Sequence, residues 1–148
     1  MDSFSVRGFN GFLEVEIDKI FGFPDQTSHF GGYDTESRVK VESNGFSVDS
    51  KLWLSTGEVF DLYNSLREAH EKLNGSAKFE SSERNLSFAI NYELLGRVSI
   101  QGEFRDNKLE DNFLRFEISS DQSYLNRTLV ELTQFVRKYG DNSGKKSI

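Results

Sequence analysis

At 148 residues, with 18 Lys and Arg against 24 Asp and Glu for a formal charge of −6, the chain is sized for one domain, expected over residues 1–140. Its lack of cysteine excludes disulfides and thiolate metal or redox sites, and its acidic balance opposes a grip on a phosphate backbone. No apolar run approaches the roughly 18–20 residues that span a bilayer, and Met1-Asp2-Ser3-Phe4 lacks the basic and apolar segments of a leader, so a cytoplasmic protein without membrane or nucleic-acid partners is expected.

Between Phe12 and Phe21 the chain alternates. Leu13, Val15, Ile17 and Phe21 take one face and Glu14, Glu16 and Asp18 the other, the pattern of a half-buried antiparallel strand with carboxylates on its wet side. An irregular stretch from Gly22 to Asp34 follows, long enough to be either mobile or functional. Residues 38–42, the turn Ser43-Asn44-Gly45 and residues 46–54 then form a predicted hairpin, because Asn-Gly readily adopts the backbone of a tight turn. Phe46, Val48, Leu52 and Leu54 share its core face, which puts Trp53 on the opposite face with Asp49 and Lys51.

Ser55-Thr56-Gly57-Glu58 carries the capping-box pattern, in which the Ser hydroxyl accepts an early amide and the Glu reaches back. The helix it opens places Val59, Leu62, Tyr63, Leu66, Ala69 and Leu73 on one face at spacings of three and four, and Asn74-Gly75 is its expected end. Strands are predicted at 77–80, 86–92, 98–104 and 113–118, with a turn near Asp106-Asn107-Lys108. A last helix from about Asp121 buries Tyr124, Leu125, Leu129, Leu132, Phe135, Val136 and Tyr139 and stops at Gly140, leaving 141–148 as a flexible polar tail. Strands, helix, strands, helix is an α+β order, with antiparallel sheets and the helices packed on or beside them. The repeated plan would suit a degenerate duplication.

Nucleophilic catalysis needs a base beside its nucleophile, and the chain offers only His29 and His70. His70 borders the apolar stripe of the first helix, where a boundary side chain is the ordinary role, and His29 sits in the long loop. Glu14, Glu16 and Asp18 could converge on a cation, but alternate strand residues stand roughly 6.5–7 Å apart, the spacing of a solvated face. Phosphate-loop, dinucleotide and Gly-x-Ser-x-Gly motifs are absent, so no catalytic, metal or cofactor residue is assigned. Glu14, Glu16, Asp18, Asp49 and Trp53 are the candidate protein-contact residues. Trp53 is either an anchor of that contact or part of a second core, if the sheet is covered on both sides.

Four stretches carry a resemblance: Phe21-Gly22-Phe23-Pro24, Trp53-Leu54-Ser55-Thr56-Gly57-Glu58, Asn85-Leu86-Ser87-Phe88, and Phe116-Glu117 followed by Asp121-Gln122-Ser123-Tyr124-Leu125. In their order and spacing, over about Phe12 to Tyr139, the chain resembles the WapI-type immunity proteins. The resemblance implies a cytoplasmic, non-enzymatic binder that neutralises the C-terminal domain of a polymorphic, contact-delivered bacterial toxin, often a nuclease. An acidic inhibitor would gain on-rate from the field of a basic nuclease. The residues themselves leave two alternatives: a small-ligand or metal-dependent carboxylate enzyme with the 22–34 loop as a lid, or a self-associating adaptor domain. A monomer or weak homodimer is expected.

Overall fold

The computed structural model describes residues 2–106 and 109–145. Strands β1 (Asp2–Arg7), β2 (Gly11–Ile20), β3 (Asp34–Ser43) and β4 (Phe46–Ser55) form an antiparallel sheet in chain order, and helix α1 (Thr56–Lys72) follows directly. The plan then repeats. Strands β5 (Gly75–Glu80), β6 (Leu86–Tyr92), β7 (Arg97–Arg105) and β8 (Phe113–Asp121) make a second antiparallel sheet, followed by α2 (Gln122–Tyr139). This is the expected α+β order, and each half is a meander in which successive strands are neighbours, even across the long connection between β2 and β3.

Alternation decides which side of each sheet is dry. Leu13, Val15, Val39, Val41, Leu52 and Leu54 of the first sheet and Leu86, Phe88, Ile90, Ile100, Phe116 and Ile118 of the second enter one hydrophobic cluster with residues of both helices. The helices are exchanged between the halves: α1 lies along β5, α2 lies along β1, and the two pack on each other. An edge strand needs partners for its outward backbone groups, and α2 supplies them to β1. The Ser5 amide donates to Glu131 Oε1 at 2.9 Å, and the Thr128 hydroxyl donates to the Ser5 carbonyl at 2.7 Å. At the far end of α2 the Tyr139 hydroxyl donates to the Asp2 carboxylate.

The capping box forms as its residues predict. The Glu58 amide donates to Ser55 Oγ at 3.2 Å, and the Ser55 amide to Glu58 Oε1 at 2.8 Å. Asp121 caps α2 through the Ser123 amide at 2.9 Å.

Several expectations are corrected. Strand β1 was not foreseen, because the apolar signal of Phe4 and Val6 is only two residues long, yet both are fully buried. Strand β3 begins at Asp34 rather than at 38. A bulge between Ile17 and Lys19 adds a residue to β2 and resets its alternation, so that Ile20 takes the core side and Phe21 turns outward, 46% exposed. Phe46 lies at the first position of β4 beside the hairpin turn and is 66% exposed, beyond the reach of the core. At the end of α1 the left-handed cap is Leu73 (φ 50°), while Gly75 (φ 91°) already opens β5.

The expected tail begins with a hydrogen-bonded turn. Asp141 Oδ1 accepts the amides of Ser143 and Lys145 at 2.8 and 3.0 Å, and the Gly32 amide donates to the Asn142 carbonyl at 2.8 Å. Residues 146–148 and the predicted turn residues Asn107 and Lys108 lie outside the described residues.

Candidate functional site: two outer sheet faces

Of the expected contact residues, Glu14, Glu16, Asp49 and Trp53 come together on the outer face of the first sheet. Register sets their neighbours: Glu14 pairs with Lys40, which pairs with Asp49, and Glu16 pairs with Arg38, which pairs with Lys51. Asp18 is the residue displaced at the bulge, and Lys19 takes its place in the next row, opposite Glu36 and then Trp53. Arg38 Nε reaches Asp49 Oδ1 at 2.6 Å, Arg7 lies 3.9 Å from Glu14, and Lys51 lies 3.8 Å from Glu36. Glu14 and Glu16 of the expected row, and Asp49 beyond them, thus each face a cation across the sheet, the arrangement that stabilises adjacent strands, whereas Asp18 has no cross-strand partner among the described residues. Trp53, 43% exposed, stacks on Phe21 with ring centroids 6.0 Å apart. The outward turn of Phe21 at the bulge creates that pair.

The outer face of the second sheet is different. It forms an open concavity of about 1000 Å³, with Ser87, Ala89 and Gln101 on its floor. Two cross-strand rows build it. Lys78 pairs with Ala89, Ala89 with Gln101, and Gln101 with Glu117; one step along, Glu80 pairs with Ser87, Ser87 with Glu103, and Glu103 with Arg115. Glu58 and Asp61 of α1 complete the lining, because the helix runs beside β5. The short side chains of Ser87 and Ala89 leave the middle of the sheet low while longer charged side chains stand around it.

Burial pushes the Glu58 carboxyl up to about 7, with Asp34 and Asp61 adding repulsion, against the lowering effect of its hydrogen bonds to Ser55. Burial also raises Asp61, which its contact with Asn142 partly offsets. Across the rim, Arg115 approaches Glu103 at 3.5 Å. Sequence reasoning missed this face, although the alternation of Lys78 with Glu80, Ser87 with Ala89, and Glu103 with Gln101 carried its signal. The strand register was needed to put those pairs side by side.

The long β2–β3 loop is pinned at both ends. Tyr33 donates its hydroxyl to the Pro24 carbonyl at 3.0 Å, the Tyr33 amide donates to Thr56 Oγ1 at 2.8 Å, and Ser28 Oγ donates to Asp34 Oδ1 at 2.6 Å. Phe23 packs edge-on against both Tyr33 and Tyr139. Gly32 sits so close to Thr56 that an added Cβ would lie 2.2 Å from its hydroxyl, at a positive φ of 64°.

His29 is exposed beside Phe30. His70 joins three elements, its Nδ1 facing the Tyr92 hydroxyl at 2.7 Å and its Nε2 facing Asn126 Oδ1 at 2.9 Å. The Asn126 oxygen can only accept, so Nε2 is the donor of that bond, and burial raises the Tyr92 phenol. Among the described residues no group of three or more His, Cys, Asp or Glu is placed to hold a metal ion, and no helix is long and apolar enough to cross a membrane.

Fold and faces together define a class: an α+β scaffold of two meander sheets around one core, presenting two charged outer faces. The chain belongs to the immunity protein WapI-like family, whose profile matches residues 7–140, from the end of β1 to the residue that closes α2. No curated protein matches the chain.

Proposed function

We propose that this protein is a non-enzymatic immunity protein that binds one cognate toxin domain in the cytoplasm and blocks its active site or substrate groove. Membership of an immunity family over residues 7–140 is the observation that carries this reading. The charge of −6 supports a basic toxin domain, such as a nuclease, because opposite fields speed encounter and fix register. The test is coexpression with the toxin domain encoded directly upstream. Growth rescue together with a purified 1:1 complex is the expected result; continued toxicity with no complex refutes it.

One observation favours the carboxylate-enzyme alternative, namely Glu58 raised to about 7 in an open concavity. Against it, the Glu58 carboxylate already accepts the Ser55 amide at 2.8 Å and so serves the start of α1.

A further inference from the structure

We propose that the concave outer face of the second sheet is the toxin-contact surface and that it takes a lysine- or arginine-bearing segment of the toxin domain. The inference rests on the toxin-binding reading and names the surface that performs it.

Charge complementarity sets the occupant. Five carboxylates line the concavity, Glu58, Asp61, Glu80, Glu103 and Glu117, against two cations, Lys78 and Arg115. On the outer face of the first sheet five carboxylates (Glu14, Glu16, Glu36, Glu42, Asp49) share the cross-strand rows with five cations (Arg7, Lys19, Arg38, Lys40, Lys51). Within those rows the charges balance. Around the concavity Arg115 and Arg105 both approach Glu103 and Arg84 approaches Glu80, so five carboxylates stand against four cations, and the excess that remains comes from Glu58 and Asp61 of α1.

Shape points the same way. A floor of Ser87 and Ala89 admits an extended segment to the sheet surface, and carboxylates on β5, β7, β8 and α1 surround it, so cations along that segment meet acceptors on both sides. Burial and the neighbouring Asp34 and Asp61 disfavour the charged form of Glu58, a condition that an added cation relieves.

Two probes separate this proposal from the reading beneath it. The first is a nine-residue oligoarginine peptide, titrated at low salt into isotope-labelled full chain. Expected is a set of amide shifts confined to 78–80, 87–89, 101–103 and 115–117, lost in Glu80→Gln/Glu103→Gln/Glu117→Gln. Shifts centred on the first sheet, or unchanged in the triple variant, overturn it.

The second probe is the toxin domain encoded upstream, measured with the same triple variant and with Glu68→Gln/Glu71→Gln/Glu93→Gln, which removes equal charge elsewhere. Expected is binding weakened roughly tenfold or more by the first triple, chiefly in the on-rate and less so at high salt, with the second near wild type. Equal weakening by both triples reduces the effect to net charge and overturns the proposal. So does weakening only by Glu14→Gln/Glu16→Gln/Asp49→Asn. If wild type ignores the toxin domain while the peptide still selects the concavity, the toxin reading fails and the basic-segment site stands.

Discussion

The rows of the first sheet's outer face run Glu14-Lys40-Asp49 and Glu16-Arg38-Lys51, each carboxylate set against a cation, whereas the second sheet's rows pass through Ala89 and Ser87 between charged ends. Both sheets are four-stranded meanders that end in a capped helix, and both send their inner faces into one core. Their difference shows that one backbone plan can be finished in two ways. Long, opposed charges close a face by pairing with one another, while short central side chains leave room for something else. Ion pairs cross both faces, Arg38 with Asp49 and Lys51 with Glu36 on the first and Arg115 with Glu103 and Arg84 with Glu80 on the second, but the second keeps a hollow between its charged ends.

The comparison assumes that the halves share one cooperative core, and the largest expected effect tests it. Leu13→Ala in the first sheet and Ile100→Ala in the second each remove a fully buried side chain and should each cost about 2–5 kcal/mol. Urea unfolding followed by Trp53 fluorescence, which reports the first sheet, and by far-UV circular dichroism should give one coincident transition in both variants. Two separated transitions would mean two independent halves.

Next, the hollow of the second sheet tolerates little added bulk on its inner side. A Cβ at Gly102 would lie 2.5 Å from Phe116 and 2.8 Å from Phe88, so Gly102→Ala should lower stability by about 1–3 kcal/mol. Gly45, in the hairpin turn of the first sheet, would bring its Cβ within 4 Å of nothing. Gly45→Ala is the matched control, expected near neutral in the same denaturation assay.

A smaller effect probes the exchange of helices. Thr128→Val deletes the hydroxyl that satisfies the buried Ser5 carbonyl on the β1 edge and should cost about 1–2 kcal/mol. Hydrogen exchange should quicken in β1 before it does in β5. Uniform quickening across both sheets would argue that α2 does not seal that edge specifically.

The Glu58 carboxyl lies above its ordinary value of 4.5, at about 7 in the folded protein, so the folded state holds the proton more tightly than the unfolded chain does. Its contribution is complete below about 4.5 and is lost as pH rises through 7. Thermal melts between about pH 5 and about pH 8 should therefore show wild type losing stability relative to Glu58→Gln as pH increases, since the amide keeps an acceptor for the Ser55 amide but does not titrate. A constant difference across that range would place Glu58 in ordinary solvent.

Local signals were legible because they depend on neighbours in sequence. The capping box at Ser55 and Glu58, the Asn44-Gly45 turn and the apolar stripes of both helices required no tertiary knowledge. Signals spread over distant strands were not. The bulge after Ile17 shifted Asp18 out of the row expected for Glu14 and Glu16 and turned Phe21 onto Trp53, and alternation alone cannot register an inserted residue. The short first strand gave too few residues for a period, although its pairing with β2 and its cover by α2 bury Phe4 and Val6 completely.

The amino-acid sequence by itself determined the class of fold and the order of its elements from β2 onward, because periodicity, caps and turn residues act over a few positions. It also carried the family, whose profile matches residues 7–140. Only the tertiary structure decided that α1 would lie beside the second sheet and α2 beside the first, and that Glu58 and Asp61 would join Glu80, Glu103 and Glu117 around one hollow. The physical reason is register. Which charges meet across a sheet depends on how strands far apart in sequence align, and burying one shared core fixes that alignment for every row at once.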